Sequence, residues 1–314
     1  MINYRILLLL TFIIFYSCSK SDDSQDNFIR ENRYKSSVFE EVVITKDVQY
    51  GANVTLGGSY KNLLLDVYEP KNDTETNRPL LVLAHGGSFI YGSKSDLANF
   101  AIELAKSGYV VAAINYRLLD VIPTQQELKE TVVNALGDMK AAVRYFYKDG
   151  GANNIHNIDL SNIFIGGYSA GAIAALHYAY INSENEIRAV GGSDLVNYVN
   201  ANGGLDGLSG NAGYETKIKA VINISGALFK SNFINTSEAP LFSIHGNNDE
   251  IVPYLNGVIN NTGISAEGSG LIHPYAISQG VFSQLKTIEN GKHDAFTQCN
   301  SCINEIRSFL FSQL

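Results

Sequence analysis

Gly167-Tyr168-Ser169-Ala170-Gly171 is the one Gly-x-Ser-x-Gly in the 314-residue chain, and its surroundings say more than its letters. The apolar run Ile163–Tyr168 leads into it, and a helix-forming stretch, Ala170–Asn182, follows at once. A serine on so sharp a strand-to-helix turn is lifted above the sheet edge, and its neighbours two positions away are pressed together. Only small residues fit there, which Gly167 and Gly171 supply. The turn also brings the Ala170 N–H, at a helix N-terminus, beside the hydroxyl. A serine hydroxyl is a poor nucleophile until a base takes its proton, and the chain has six histidines for that role. The plain alternative is a glycine-rich turn carrying an incidental serine.

The elements that must hold this serine can be read from periodicity. From about residue 40, short β-branched runs alternate with longer helical patterns, which argues for an α/β fold with a mostly parallel sheet flanked by helices. Glu41–Gln49 and Lys61–Tyr68 read as an opening antiparallel pair of strands. Leu80–Ala84 is an unbroken apolar run, as a strand buried on both faces requires. Tyr109–Ile114, Ile163–Tyr168, Ala220–Ser225, Leu241–His245 and Val281–Ile288 complete the strands. Ser93-x-x-Asp96 reads as a capping box. Leu128, Val132, Leu136, Met139 and Val143 recur at helical spacing within Gln125–Lys148, and Ile303, Ile306, Phe309 and Leu310 stripe a closing helix. Two Gly- and Asn-rich stretches, 190–215 and 255–269, fit neither period. Both are expected as loop insertions over the carboxyl ends of the strands, where ligands bind in such sheets.

His85-Gly86-Gly87-Ser88-Phe89, ending a buried strand, resembles the HGGG-type loop of hormone-sensitive-lipase-like and related bacterial carboxylesterases. The order strand, HGGSF, helix, strand, Asn115-Tyr116-Arg117, long helix, strand, GYSAG is similar to that family throughout 60–182. The segments around His245-Gly246-Asn247-Asn248-Asp249 and Gly291-Lys292-His293 extend the likeness over most of the chain. The resemblance implies an α/β-hydrolase fold, no cofactor or metal, and a triad in chain order Ser, Asp, His. Carried over residue by residue, Ser169 attacks the acyl carbon, His293 is the base, and Asp249 fixes the tautomer of His293. The oxyanion hole falls to the N–H groups of Ala170 and the Gly87/Ser88 corner. Ser88 stands where the family has a third glycine; a backbone donor survives that change. Glu250 competes with Asp249 for the acid's role, whereas Asp294 is expected to point away. His273 reads as surface, His177 as a satisfied core residue, and His156 as a loop residue. His85 and His245 match structural positions of the family, and Arg117 reads as a paired structural cation.

The first residues speak to compartment. Residues 1–17 hold one charge, Arg5, and an eleven-residue apolar run, Ile6–Tyr16, too short to cross a bilayer and right for a signal peptide. Ser17-Cys18 then resembles the lipobox of bacterial lipoproteins, with Phe15 and Tyr16 departing from its usual pattern. The resemblance implies lipidation of Cys18 and anchoring to the bacterial outer membrane, on its periplasmic or surface face. A flexible acidic tether is expected over 18–35, Ser19–Asn27 lacking any apolar residue, and a single catalytic domain over 36–314. Cys299-x-x-Cys302 has no second cysteine pair with which to bind zinc, so an exported chain would hold it as a short disulfide. The formal charge of −8 and the lack of a Lys/Arg cluster argue against a nucleic-acid partner.

The reading that follows is a serine carboxylesterase working through an acyl-enzyme on short-chain, aryl or sugar-linked esters. Its rivals are a peptidase of the prolyl-oligopeptidase type, which would bring a propeller domain, and a non-catalytic hydrolase-like binding module, which would have lost a triad residue. Tyr91, Tyr198 and Tyr214 are candidate pocket residues. The polar character of 190–215, read as a lid, favours soluble short-chain esters over oil droplets.

Overall fold

The computed structural model describes residues 27–314; the expected signal peptide, Cys18 and most of the tether lie outside the described residues. The first strands, β1 (Val42–Val54) and β2 (Tyr60–Pro70), pair antiparallel. Then come β3 (Arg78–Ala84), helix α1 (Ala98–Ala105), β4 (Val110–Ile114), α2 (Gln125–Gly150) and β5 (Ile158–Tyr168). They are followed by α3 (Ala170–Tyr180), α4 (Glu184–Ala201), β6 (Ala220–Ile224), β7 (Ala227–Leu228) and β8 (Leu241–Gly246). The chain ends with β9 (Asn256–Val258), β10 (Ser265–Gly268), α5 (Ser269–Ser278), β11 (Ser283–Ile288) and α6 (Cys302–Ser312).

The main sheet has the order β1-β2-β4-β3-β5-β6-β8-β11. Its strands are parallel from β4 to β11, and β2 meets β4 antiparallel. Period-two alternation explains the double burial of β3: Leu80, Val82 and Ala84 enter one core with Met139, Val143 and Leu176. Leu81 and Leu83 enter the other, against Leu104, Phe309 and Leu310. Each leucine so buried contributes roughly 1.5–3 kcal/mol. Arg117 has the expected structural role, its guanidinium forked on the buried Asp138 carboxylate at 2.8–3.0 Å.

Two boundaries differ from expectation. The tether was expected to reach residue 35, but 27–32 is helical and Arg33 forms a two-pronged ion pair with Asp73 at 3.0 and 2.5 Å. The Tyr34 N–H donates to Ser107 and its ring lies 5.1 Å from that of Tyr109. Those contacts come from residues distant in sequence, so no local period announces them. The stretch 190–215 is not a loop over the site. Its first half is the second part of α4, kinked at Gly191–Gly192, with Leu195, Val196 and Val199 buried. Tyr198 donates to Asn134 on α2, and Arg144 donates to the carbonyls of Asp206 and Gly210. Tertiary burial there overrides the weak helix propensity of Gly and Asn.

Candidate active site

Ser169 sits between β5 and α3 with φ 54° and ψ −119°, a conformation costly for any residue with a side chain. The elbow is as tight as its sequence requires. A Cβ on Gly167 would come within 2.5 Å of the Gly171 carbonyl carbon and 2.6 Å of the Ala84 oxygen; one on Gly171 would overlap Ala84 outright. The Ser169 N–H donates to the Ile224 carbonyl at 2.8 Å, tying the turn to the end of β6.

The carboxyl ends of β5, β8 and β11 bring three distant residues together. His293 Nε2 lies 2.8 Å from Ser169 Oγ, and His293 Nδ1 lies 2.7 Å from Asp249 Oδ2. The other carboxylate oxygen accepts the N–H groups of Ile251 and Val252 at 2.8 and 2.9 Å. These donors, with His245 Nε2 at 3.1 Å from Oδ2, outweigh burial and hold the carboxyl well below its usual range, so it stays ionised through mild acid. Glu250 is exposed, as is Asp294, and neither replaces it.

The His85–Phe89 loop runs past Ser169: a Cβ on Gly86 would lie 3.2 Å from that of Ser169. Gly87, Ser88 and Phe89 all have positive φ, 114°, 53° and 61°. Ser88 therefore holds backbone geometry that glycine adopts freely, and the surrounding bonds must enforce it. The Gly87 carbonyl accepts from Ile90 and Tyr91, the Phe89 carbonyl accepts from Leu119, and Tyr116 donates to the His85 carbonyl. Ala170 opens α3, where the first N–H groups have no helical acceptor and can receive an oxyanion.

Two spaces of unequal size meet at Ser169. A cleft of about 910 Å³ contains His293, Tyr91, Phe100 and Phe296, with Asn260, Asn261 and Thr262 across from them. A second cavity, of about 30 Å³, also reaches Ser169 and is walled by Phe89, Val132, Ile173, Phe229 and Ile264. The second insertion, 255–269, places Asn260, Asn261 and Thr262 on the cleft. It is an ordered hairpin of β9 and β10, and β10 pairs with β7. Tyr91 lines the cleft, while Tyr198 and Tyr214 line neither space.

Sequence reasoning missed Tyr168 and Ser225, whose hydroxyls both donate to the His293 carbonyl, at 3.1 and 3.2 Å, and so pin the loop carrying His293. Burial pushes the Tyr168 phenol up to about 12, which keeps it a neutral donor. The x position of the Gly-x-Ser-x-Gly pattern gives no signal for this role. Cys299 and Cys302 are joined by a disulfide at the start of α6. Among the described residues no three His, Cys, Asp or Glu side chains are grouped to hold a metal.

The remaining histidines have structural partners. His156 meets Glu69, His273 meets Ser283, and His85 stacks on Tyr116. His177 is fully buried; its Nδ1–H donates to Ile173 and its Nε2 accepts the Phe229 N–H at 3.2 Å. Burial pushes this imidazole down to about 4. An unfolded histidine takes its proton near pH 6.5, so the neutral side chain's contribution is whole above that pH. It is lost as pH falls toward 4, up to about 3 kcal/mol. Denaturant unfolding at pH 7 and pH 4.5 should register this loss, and His177→Gln should flatten it. A slope indifferent to that substitution would contradict the assignment.

The family model named BD-FAE matches residues 65–228, just over half of the chain. The chain belongs to the BD-FAE family. Among solved structures, the fold of this BD-FAE member is similar to Thermogutta terrifontis esterase 2 phosphoramylated by tabun, with a TM-score of 0.60 and 16% identity over 83% of this chain and 94% of that one. The propionate-bound form of that thermophilic esterase gives a TM-score of 0.59 at 16% identity, over 83% of this chain and 93% of that one. Its butyrate-bound form gives 0.60 at 16% identity, with the same coverage.

Proposed function

We propose that this protein is a serine carboxylic ester hydrolase that removes short acyl groups from bulky, polar or aryl alcohols. The observation that carries the reading is the unbroken hydrogen-bonded line from Asp249 through His293 to Ser169, set between a large cleft and a very small cavity. Ser169 Oγ attacks the acyl carbon while His293 Nε2 takes its proton. The N–H groups of Ala170 and of the Gly87/Ser88 corner meet the oxyanion. His293 then returns the proton to the departing alcohol, and a water, deprotonated by the same nitrogen, releases the carboxylic acid.

The proton transfer decides which side holds which half of the ester. The leaving oxygen must face His293, so the alcohol belongs in the cleft that contains His293, and the acyl chain belongs in the cavity that does not. A space of about 30 Å³ holds roughly two water-sized groups. That supports acetyl to butyryl chains on a footing different from the polar stretch 190–215, which does not cover the site. Tyr91, Phe100 and Phe296 offer aromatic faces to the alcohol, and Asn260 and Asn261 offer amides, as a sugar or aryl group would need. The propionate- and butyrate-bound forms of the Thermogutta esterase agree with short acyl groups.

The test is kcat/KM across p-nitrophenyl esters of two to sixteen acyl carbons. Each methylene forced beyond the cavity forfeits ~1 kcal/mol or more, so activity should fall at least about 100-fold between four and ten carbons. A maximum at eight carbons or longer would reverse the assignment. An aminoacyl anilide in the same panel separates a peptidase, and failure of a fluorophosphonate to label the protein would point to a non-catalytic module.

Export with a lipid anchor at Cys18 is part of the proposal, supported by the residue 1–18 pattern and by a disulfide suited to an oxidising space. Cys18→Ser should move the protein from the membrane to the soluble fraction; retention unchanged by that substitution would sink the idea.

A further inference from the structure

The Asp249 carboxylate accepts a fourth hydrogen bond besides those of His293, Ile251 and Val252. His245 Nε2 lies 3.1 Å from Asp249 Oδ2, the same oxygen that His293 uses. Behind it stands a line of fully buried polar groups: His245 Nδ1 is 2.9 Å from Ser269 Oγ, and Ser269 Oγ is 3.0 Å from Asn223 Nδ2. Asn223 Oδ1 in turn accepts the Gly226 N–H at 2.9 Å.

The direction of the bonds at the two ends of this line is set by their partners. A backbone N–H can only donate, so Asn223 presents its oxygen to Gly226 and its NH₂ to Ser269. Ser269 Oγ accepts that N–H and faces His245 Nδ1 with its second lone pair or its own proton. His245 must carry a hydrogen on Nε2, where both available acceptors, Asp249 Oδ2 and the Val252 carbonyl at 3.2 Å, have none to give. Nε2 is thereby the donor to the Asp249 carboxylate.

Resting on the esterase reading, we propose that Asn223, Ser269 and His245 are positioning residues. They orient Asp249 for His293 and set the pH at which activity falls on the acid side. With one donor fewer, Asp249 would hold its negative charge more basically and stabilise the protonated form of His293 to higher pH. The other ionisable groups around the pair are few. Tyr168 has its ring 5.3 Å from that of His293, Tyr254 meets His245 edge-on at 5.6 Å, and Glu250, Lys292 and Asp294 flank them in sequence.

The donor is read directly from imidazole ¹⁵N shifts of the wild-type protein: His245 should carry a hydrogen on Nε2. His245→Leu should lower kcat about 10- to 100-fold, the worth of one hydrogen bond to a charged group. It should leave KM within about twofold and move the acid limb of kcat/KM up by about half a unit or more. His245→Gln, whose amide nitrogen can reach the same oxygen, should restore most of both. Ser269→Ala, a smaller change, should shift the limb as well and serves if the leucine variant does not fold. A bare Nε2 on His245, an acid limb unmoved in the leucine and alanine variants, or a glutamine variant as impaired as leucine would overturn the proposal. Fluorophosphonate labelling of Ser169 over the same pH range reads His293 without any ester. A wild type that labels but turns over no ester therefore counts against the substrate reading, while the labelling profiles still decide this one.

Discussion

Replacing Ser169 with alanine is expected to lower kcat for ester hydrolysis by about 10⁴- to 10⁶-fold, because triad members act as a unit and nothing nearby can replace the attacking oxygen. The residues close to its hydroxyl are His293 and the glycines of the His85–Phe89 loop, which offer no second hydroxyl except Ser88. Ser88 has no base within hydrogen-bonding distance, so it cannot be activated as Ser169 is. Folding should be nearly untouched, since alanine inherits the same φ of 54° and the same backbone bond to Ile224. Ser169→Gly separates the two effects. It should be equally inactive yet more stable by about 1 kcal/mol, because glycine relieves the strained backbone. Residual turnover above a few per cent in both variants would place the nucleophile elsewhere.

The parts of the fold and site that could be read from sequence are those whose cause is local. Leu80–Ala84 announces a doubly buried strand by composition, and Gly167 and Gly171 announce the elbow because the turn admits nothing larger. What was misread depends on contacts from afar. The 190–215 stretch looks like a loop by its glycines and asparagines, but Leu195, Val196 and Val199 find burial beside α2, and only the tertiary partner reveals it. Arg33 likewise lacks a local cue for its pairing with Asp73, forty residues on. Asp249 and His293 were nameable only through a family resemblance. No periodicity links them, and it is the parallel register of β8 and β11 that brings their loops side by side. The small cavity beside Ser169 was invisible for the same reason, its walls coming from five separate segments of the chain.

Asp249→Asn should cost kcat about 10⁴-fold, nearly as much as losing the base, although the two side chains have almost the same shape. The cause lies in which end of the amide goes where. The Ile251 and Val252 N–H groups, at 2.8 and 2.9 Å, both donate to the inner oxygen, and an NH₂ placed there would face two donors with nothing to accept its hydrogens. The asparagine must therefore keep its oxygen inward and turn its NH₂ toward His293 and His245. A donor at that position suits only a bare Nδ1, so His293 is forced to carry its proton on Nε2, facing Ser169. A base already protonated toward its nucleophile cannot take the nucleophile's proton. The same NH₂ also meets the Nε2–H of His245 head-on, which should lower the melting temperature, whereas Ser169→Ala leaves it in place. Activity therefore should not return on raising the pH, because the fault is a misplaced proton and not an excess one. Recovery of kcat at high pH in Asp249→Asn would show that the tautomer of His293 is set by something other than this carboxylate.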